Sequence, residues 1–233
     1  MSPNEISTPS TETELSSGLD ENTIKNPAKP AKRKRFEPEI REHVIKAATR
    51  AIESKGLDGI KARPIAQRAG ISVGSIYNLF GDLDELTRIV NGRIYDALYE
   101  IERRALEEAR RSGKSSRDQM MDLAAAYLEF VETHQSSWNA ALTFNRSQSE
   151  LPPQWYFEKE QALFRIIEDA IATFPGAKDI DTRKNTARAL WASIHGIVTV
   201  AIADGFLMQP IANVWTQIQI IINAVARSLE LEP

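Results

Sequence analysis

Apolar residues recur three and four positions apart along almost the whole chain, from Ile40 to Leu229, and nowhere alternate with polar ones over the length of a strand. That period stacks apolar side chains on one face of a helix and cannot build a half-buried sheet. The periodic runs are cut at Gly56, Gly70, Ser112-Gly113, Pro152-Pro153, Pro175-Gly176 and Pro210, where glycine admits left-handed backbone and proline withdraws an N–H. The predicted helices follow. The first has Pro38 in its opening turn and stops at Gly56. Two short ones span 62–69 and 73–80, and a long one spans 82–111. Others cover about 116–134, 136–145, 155–173, 181–205 and 211–230. The fold class is all-α. Asp82, with Glu85 three residues on, reads as a capping box opening the long helix. At ~1.5 Å per residue that helix runs roughly 45 Å, the length of a connector between two bodies.

Charge is distributed unevenly. The formal net charge is −3, yet residues 25–80 hold 13 Lys or Arg against five acids, while residues 1–24 hold five acids and no base. A basic block inside an acidic chain is the footprint of a nucleic-acid contact confined to one segment. Residues 1–31 contain no aromatic side chain and are rich in Ser, Thr, Asn, Glu and Pro, a composition too poor in apolar surface to offset the entropy of ordering. They are expected to be disordered and to lead into a basic arm, Lys32-Arg33-Lys34-Arg35. The expected organisation is a tail over 1–35, a DNA-binding domain over 36–82 and a larger helical domain over 83–233.

Several function classes are excluded. The chain has no cysteine, which removes disulfides, thiolate metal sites and a thiol nucleophile. His43, His134 and His195 are too scattered to suggest a metal cluster by spacing. No nucleophile–base pair or carboxylate dyad is legible, so an enzyme, a resident metal and a cofactor are not expected. The longest apolar run, Ala189 to Ala203, is interrupted by Ser193, His195 and Thr199 and falls short of the ~20 residues of a membrane span. With no basic start followed by an apolar stretch, a cytoplasmic location without a membrane partner is expected.

The segment from Ile65 to Phe80 carries the function. Two short helices joined at a glycine behind a longer helix form a helix-turn-helix pattern. Gly70 allows the sharp turn, Ala66 keeps the helices close, and Ile65, Ile71, Ile76 and Phe80 fill the space between them. Ser72 can cap the second helix, and Gly74 has no side chain to hold the backbone away from DNA. Val73, Ser75, Tyr77 and Asn78 are left free to meet base edges or phosphates.

The stretch Ile65-Ala66-Gln67-Arg68-Ala69-Gly70-Ile71-Ser72-Val73-Gly74-Ser75-Ile76-Tyr77-Asn78-Leu79-Phe80 closely resembles the DNA-binding motif of the tetracycline-repressor family of bacterial transcriptional regulators. The resemblance is strong over residues 36–88 and extends to 89–233 in architecture. It implies a repressor, acting on the bacterial nucleoid, whose grip on a double-stranded operator of two half-sites is modulated by a small molecule. By position it implies phosphate contact at Tyr77, a major-groove face at Val73, Ser75 and Asn78, and backbone contacts at Lys61 and Arg63. Two departures stand out. Leu83, between Asp82 and Asp84, replaces the lysine many members carry early in the fourth helix, and Lys61 replaces a usual threonine. Trp191-Ala192-Ser193-Ile194-His195-Gly196 resembles the Trp…His-Gly signature of one C-terminal branch of the family.

The C-terminal half is crowded with aromatics. Phe130, Trp138, Phe144, Trp155, Phe164, Trp191 and His195 are candidate walls for a small apolar or aromatic ligand, although each is also an ordinary core position. The last two helices have apolar faces wider than one core contact requires. They are expected to pair with a second copy at Gly196, Thr199, Ala203, Ile218, Ile222 and Val225, as the family resemblance also implies. An enzyme lacks the catalytic constellation, and an adaptor whose basic segment binds acidic protein or anionic membrane does not account for the recognition-helix pattern.

Overall fold

A computed structural model describes residues 31–202 and 211–230, with side chains over 37–201 and 213–230. Every regular element among the described residues is helical: α1 (Ala31–Lys55), α2 (Ala62–Ala69), α3 (Val73–Phe80), α4 (Leu83–Arg111), α5 (Ser116–Thr133), α6 (Gln135–Ser147), α7 (Gln154–Ile171), α8 (Ile180–Ile202) and α9 (Ile211–Glu230). Short 3-10 turns lie at Gly56–Gly59 and Pro175–Ala177. The described residues from Glu37 onward form one compact unit.

The sequence punctuation acts where expected. Gly56, Gly70 and Gly113 all take positive φ, and Ser72, Asp82 and Ser115 accept the backbone N–H groups of Ser75, Glu85 and Asp118. The beginning of α1 requires a correction. The helix starts at Ala31, so Pro38 lies inside it rather than in its first turn and supplies no N–H to the backbone ladder. The basic run Lys32–Arg35 sits on helical backbone; its side chains lie outside the described residues.

Two hydrophobic cores meet along α4. The first joins α1, α2 and α3 through Val44, Ala48, Ile52, Ile65, Ile76 and Phe80, and receives Leu86 and Val90 from α4. The second takes Ile94, Tyr95, Leu98 and Leu106 from the same helix and packs them against α5 to α9. One 29-residue helix, about 44 Å long, therefore belongs to both cores. Ala140 of α6 also enters the first core.

A partly buried polar network beside the second core ties α4, α6 and α7 together. The Asn145 amide donates to Tyr95 Oη at 2.7 Å and to Glu160 Oε1 at 2.9 Å, while Tyr156 donates to Asn145 Oδ1 at 2.8 Å. Burial holds the Glu160 carboxyl above its ordinary range, against the hydrogen bonds from Tyr95 and Asn145.

Candidate nucleic-acid interface and ligand cavity

The α2–α3 pair is built around a turn whose backbone only glycine takes without strain. Gly70 has φ +71° and caps α2 by donating to Ala66 and Gln67. Ser72 then opens α3 in extended conformation, receiving the Ser75 N–H at 3.1 Å, with the two hydroxyls 2.8 Å apart. Ile76 and Phe80 point inward and are buried, while Val73 and Tyr77 remain 37% and 45% exposed. Asn78 and Gly74 share that outer face, and nothing but Ser72 Oγ lies within 4 Å of a Cβ built on Gly74. Val73, Gly74, Tyr77 and Asn78 thus form one accessible surface. Ser75 is half-buried and its hydroxyl is engaged by the cap, so less of it faces outward than its sequence position suggested.

Lys61 and Arg63 stand exposed at the start of α2. Leu83, in the place of the family's lysine, packs partly buried against the first core. The neighbouring Asp82 carboxylate is occupied in capping α4, accepting the Glu85 N–H at 2.6 Å.

Arg41 carries no signal in the sequence. Its guanidinium donates to the Leu79 carbonyl at 2.6 Å and lies 4.4 Å from the centroid of the Phe80 ring, which fastens the C-terminal end of α3 to α1. A basic charge is favourable beside unsatisfied helix carbonyls, but no local pattern links residues 38 apart. Glu42 and Arg93 add a bidentate pair between α1 and α4, at 2.8 and 2.5 Å.

In the second core, a cavity of about 30 Å³ lies between α4, α5, α7 and α8, room for a water or two. Its apolar wall includes Met120, Leu123 and Ile194, and its polar atoms come from Glu102 and Tyr127, with Trp191 closing one side. Glu102 is 5% exposed and its Oε2 has no hydrogen-bond partner. Burial alone pushes its carboxyl up to about 8.

Of the seven expected pocket residues, Trp191 lines this cavity. His195 lies behind it, stacked on Trp191 at 4.5 Å and sharing a 2.7 Å hydrogen bond with the Tyr127 hydroxyl. Burial and the Arg146 charge hold His195 below the ordinary histidine range. Phe164 packs edge-on against Trp191. Phe130 and Trp138 are buried core residues. Phe144 borders a second, more polar cavity with Arg88, Asn145, Tyr156 and Glu160, of about 210 Å³, and Trp155 lies against Gly92 of α4. Sequence reasoning missed Glu102, which it would read as one more acid on an exposed helix.

The expected interface residues also divide. Ile218 and Ile222 are 0% exposed within one chain. They belong to the protomer's own core, because they step with Val214, Ala226 and Leu229 on the inner face of α9; that corrects their placement between copies. Val225 is half-buried at the core edge, and Thr199 Oγ1 lies 3.3 Å from His195 Nε2. A Cβ built on Gly196 meets nothing within 4 Å. Ala203 lies outside the described residues. On the outer faces, Ile220 is 61% and Val200 37% exposed.

Comparison with known proteins gives concordant matches. Residues 44–88 match the family described as bacterial regulatory proteins, tetR family, and residues 120–219 match the tetracyclin repressor-like C-terminal domain. The HTH-type transcriptional regulator BetI of Burkholderia cenocepacia is 27% identical over 157 residues, covering 67% of this chain and 79% of the relative. An uncharacterised HTH-type transcriptional regulator of Mycobacterium tuberculosis is 23% identical over 175 residues, covering 75% and 73%. Among solved structures, a protein of unknown function from Rhodococcus sp. RHA1 superimposes with a TM-score of 0.65 at 22% identity, covering 91% of this chain and all of that one. A TetR transcriptional regulator from the same organism gives 0.59 at 16% identity, covering 81% and 97%.

Proposed function

This chain belongs to the tetracycline-repressor family of DNA-binding transcriptional regulators, and on that premise we propose that it is a repressor that holds an operator through α3 and is released by a small molecule in its C-terminal half. The observation that carries the DNA-binding part is the outer face of α3. Val73, Tyr77 and Asn78 stand clear of the core on a helix whose start, turn and end are each fastened by a named contact. A rigid helix with its apolar side buried and a short polar side outward suits insertion in the major groove. In this reading Asn78 and Val73 meet base edges, whereas Tyr77, Lys61 and Arg63 hold phosphates; Ser72 and Ser75 set the start of the helix and Gly74 lets it approach. Lys32 to Arg35 would add phosphate contacts from the preceding segment.

The family dimerises, and the outer faces of α8 and α9 support that pairing here. Among the described residues a Cβ built on Gly196 meets nothing within 4 Å, and Ile220 is apolar and 61% exposed. Two recognition helices placed by such a dimer would read half-sites about one helical turn apart, ~34–36 Å, or a related spacing. Because α4 contributes to both cores, a change in packing around its C-terminal half is passed along the helix to the α2–α3 pair.

The test is a gel shift with fragments from upstream of the protein's own gene, repeated across a salt series. A fragment retained against excess competitor DNA, with log affinity falling linearly in log salt, is the expected result. Affinity no greater than for random duplex would overturn the reading.

A further inference from the structure

The cavity at Glu102 sets the chemistry of its occupant. We propose that it takes a small lipophilic amine, whose ammonium group pairs with the Glu102 carboxylate while its hydrocarbon body lies against the Tyr127 and Trp191 rings. The inference rests on the reading that the C-terminal half binds a regulatory small molecule, and it names that molecule's class.

A carboxyl is costly to bury without a partner, and evolution can remove it by a single change to Gln or Leu. Here Glu102 is 5% exposed, its Oε2 is unpartnered, and it borders an unfilled space rather than packed atoms. No lysine, arginine or histidine lines the cavity, so once Glu102 gives up the proton that burial holds on it, to the amine itself or to water, only the occupant can match the charge that is left. Tyr127 and Trp191 line the same space, and aromatic rings attract cations and accept hydrocarbon equally well. An anionic ligand would meet Glu102 without compensation. A neutral one would gain a single hydrogen bond.

The site is also placed to matter. Glu102 lies on α4, 12 residues beyond Val90 in the first core, about 18 Å along the same helix. A space of about 30 Å³ is too small for an aromatic amine, so binding requires α4 to part from α5 or α8. Such an occupant prefers a widened arrangement over this one, and a difference in affinity between two states is what a ligand needs in order to shift them.

The experiment uses the full-length protein and three probes of one shape: phenethylamine, 2-phenylethanol and phenylacetate. Calorimetry and thermal shift are expected to show phenethylamine binding at least about tenfold more tightly than 2-phenylethanol, with no binding of phenylacetate. Glu102→Gln removes the charge and keeps the shape, so it should weaken the amine at least about tenfold while leaving the alcohol within about twofold. Equal affinity of wild-type protein for amine and alcohol would overturn the amine assignment and leave the ligand-binding reading standing. The amine assignment falls equally if Glu102→Gln binds the amine as tightly as the wild type does. If none of the three binds, the inference fails; if a wider panel of apolar compounds fails as well, the ligand-binding reading fails with it.

Discussion

Glu102 is the side chain whose protonation should be visible in the stability of the whole protein. Its carboxyl is raised from 4.5 to about 8 by burial alone. Between those values the folded chain holds a proton that the unfolded chain has lost, so stability falls as pH rises from about 4.5 to about 8. Glu102→Gln cannot lose that proton. It is expected to unfold at nearly the same denaturant concentration as wild type near pH 5, and to be more stable by about 4 kcal/mol near pH 8. Urea titrations of both proteins across that range check this, and parallel pH profiles would refute it. At the DNA face the residues separate by what they touch. Tyr77→Phe removes one phosphate donor and should weaken all duplexes alike, by about 1 kcal/mol. Asn78→Ala should instead flatten the preference at particular base pairs, by about 1–3 kcal/mol for each. Binding to an operator and its single-base variants distinguishes the two, and a uniform loss for Asn78→Ala would remove it from base reading.

Two glycines show how differently an element can depend on the same residue type. Gly70 joins α2 to α3 at φ +71° with open space around it, so Gly70→Ala should cost only backbone strain, about 1–2 kcal/mol. Gly59 has ordinary backbone, but its added Cβ would fall 2.3 Å from the Ala51 carbonyl oxygen. Gly59→Ala must therefore lift the 3-10 turn from α1, and should cost more than Gly70→Ala in the same chemical denaturation series. The role of Gly70 was legible because a turn between two short helices is a local event. That of Gly59 was not, because the collision depends on how the turn folds back against α1. The start of α1 escaped the sequence for a related reason: proline is common in a first turn, and periodicity alone does not reveal that the helix begins before Pro38.

For the whole molecule, α8 and α9 separate two kinds of apolar residue. Ile220→Asp and Gly196→Leu alter outer positions, one 61% exposed and one with free space beside it. Each is expected to leave helix content and single-chain folding intact, while dissociating the dimer and weakening operator binding. Ile218→Asp buries a charge in the core, where the wild-type side chain is 0% exposed, and should unfold the domain. Sedimentation with circular dichroism reads both outcomes. A dimer that survives both outer changes would place the contact elsewhere.

The sequence by itself determined the helical class, the breaks among the described residues, the two-helix motif and its outward residues other than Ser75. Those depend on the 3.6-residue period, on caps and on glycine turns, which act within a few positions along the chain. The tertiary structure alone decided which apolar stripe of α9 is core and which is open: Ile218 is 0% and Ile220 61% exposed, on a helix that is apolar on more than one side. It also decided that Arg41 fastens α3 from 38 residues away, and that Glu102, an acid on a charged helix, stands without a partner against an apolar cavity. Burial and the identity of a neighbour are properties of packed helices, because they arise only when distant segments exclude water from one another.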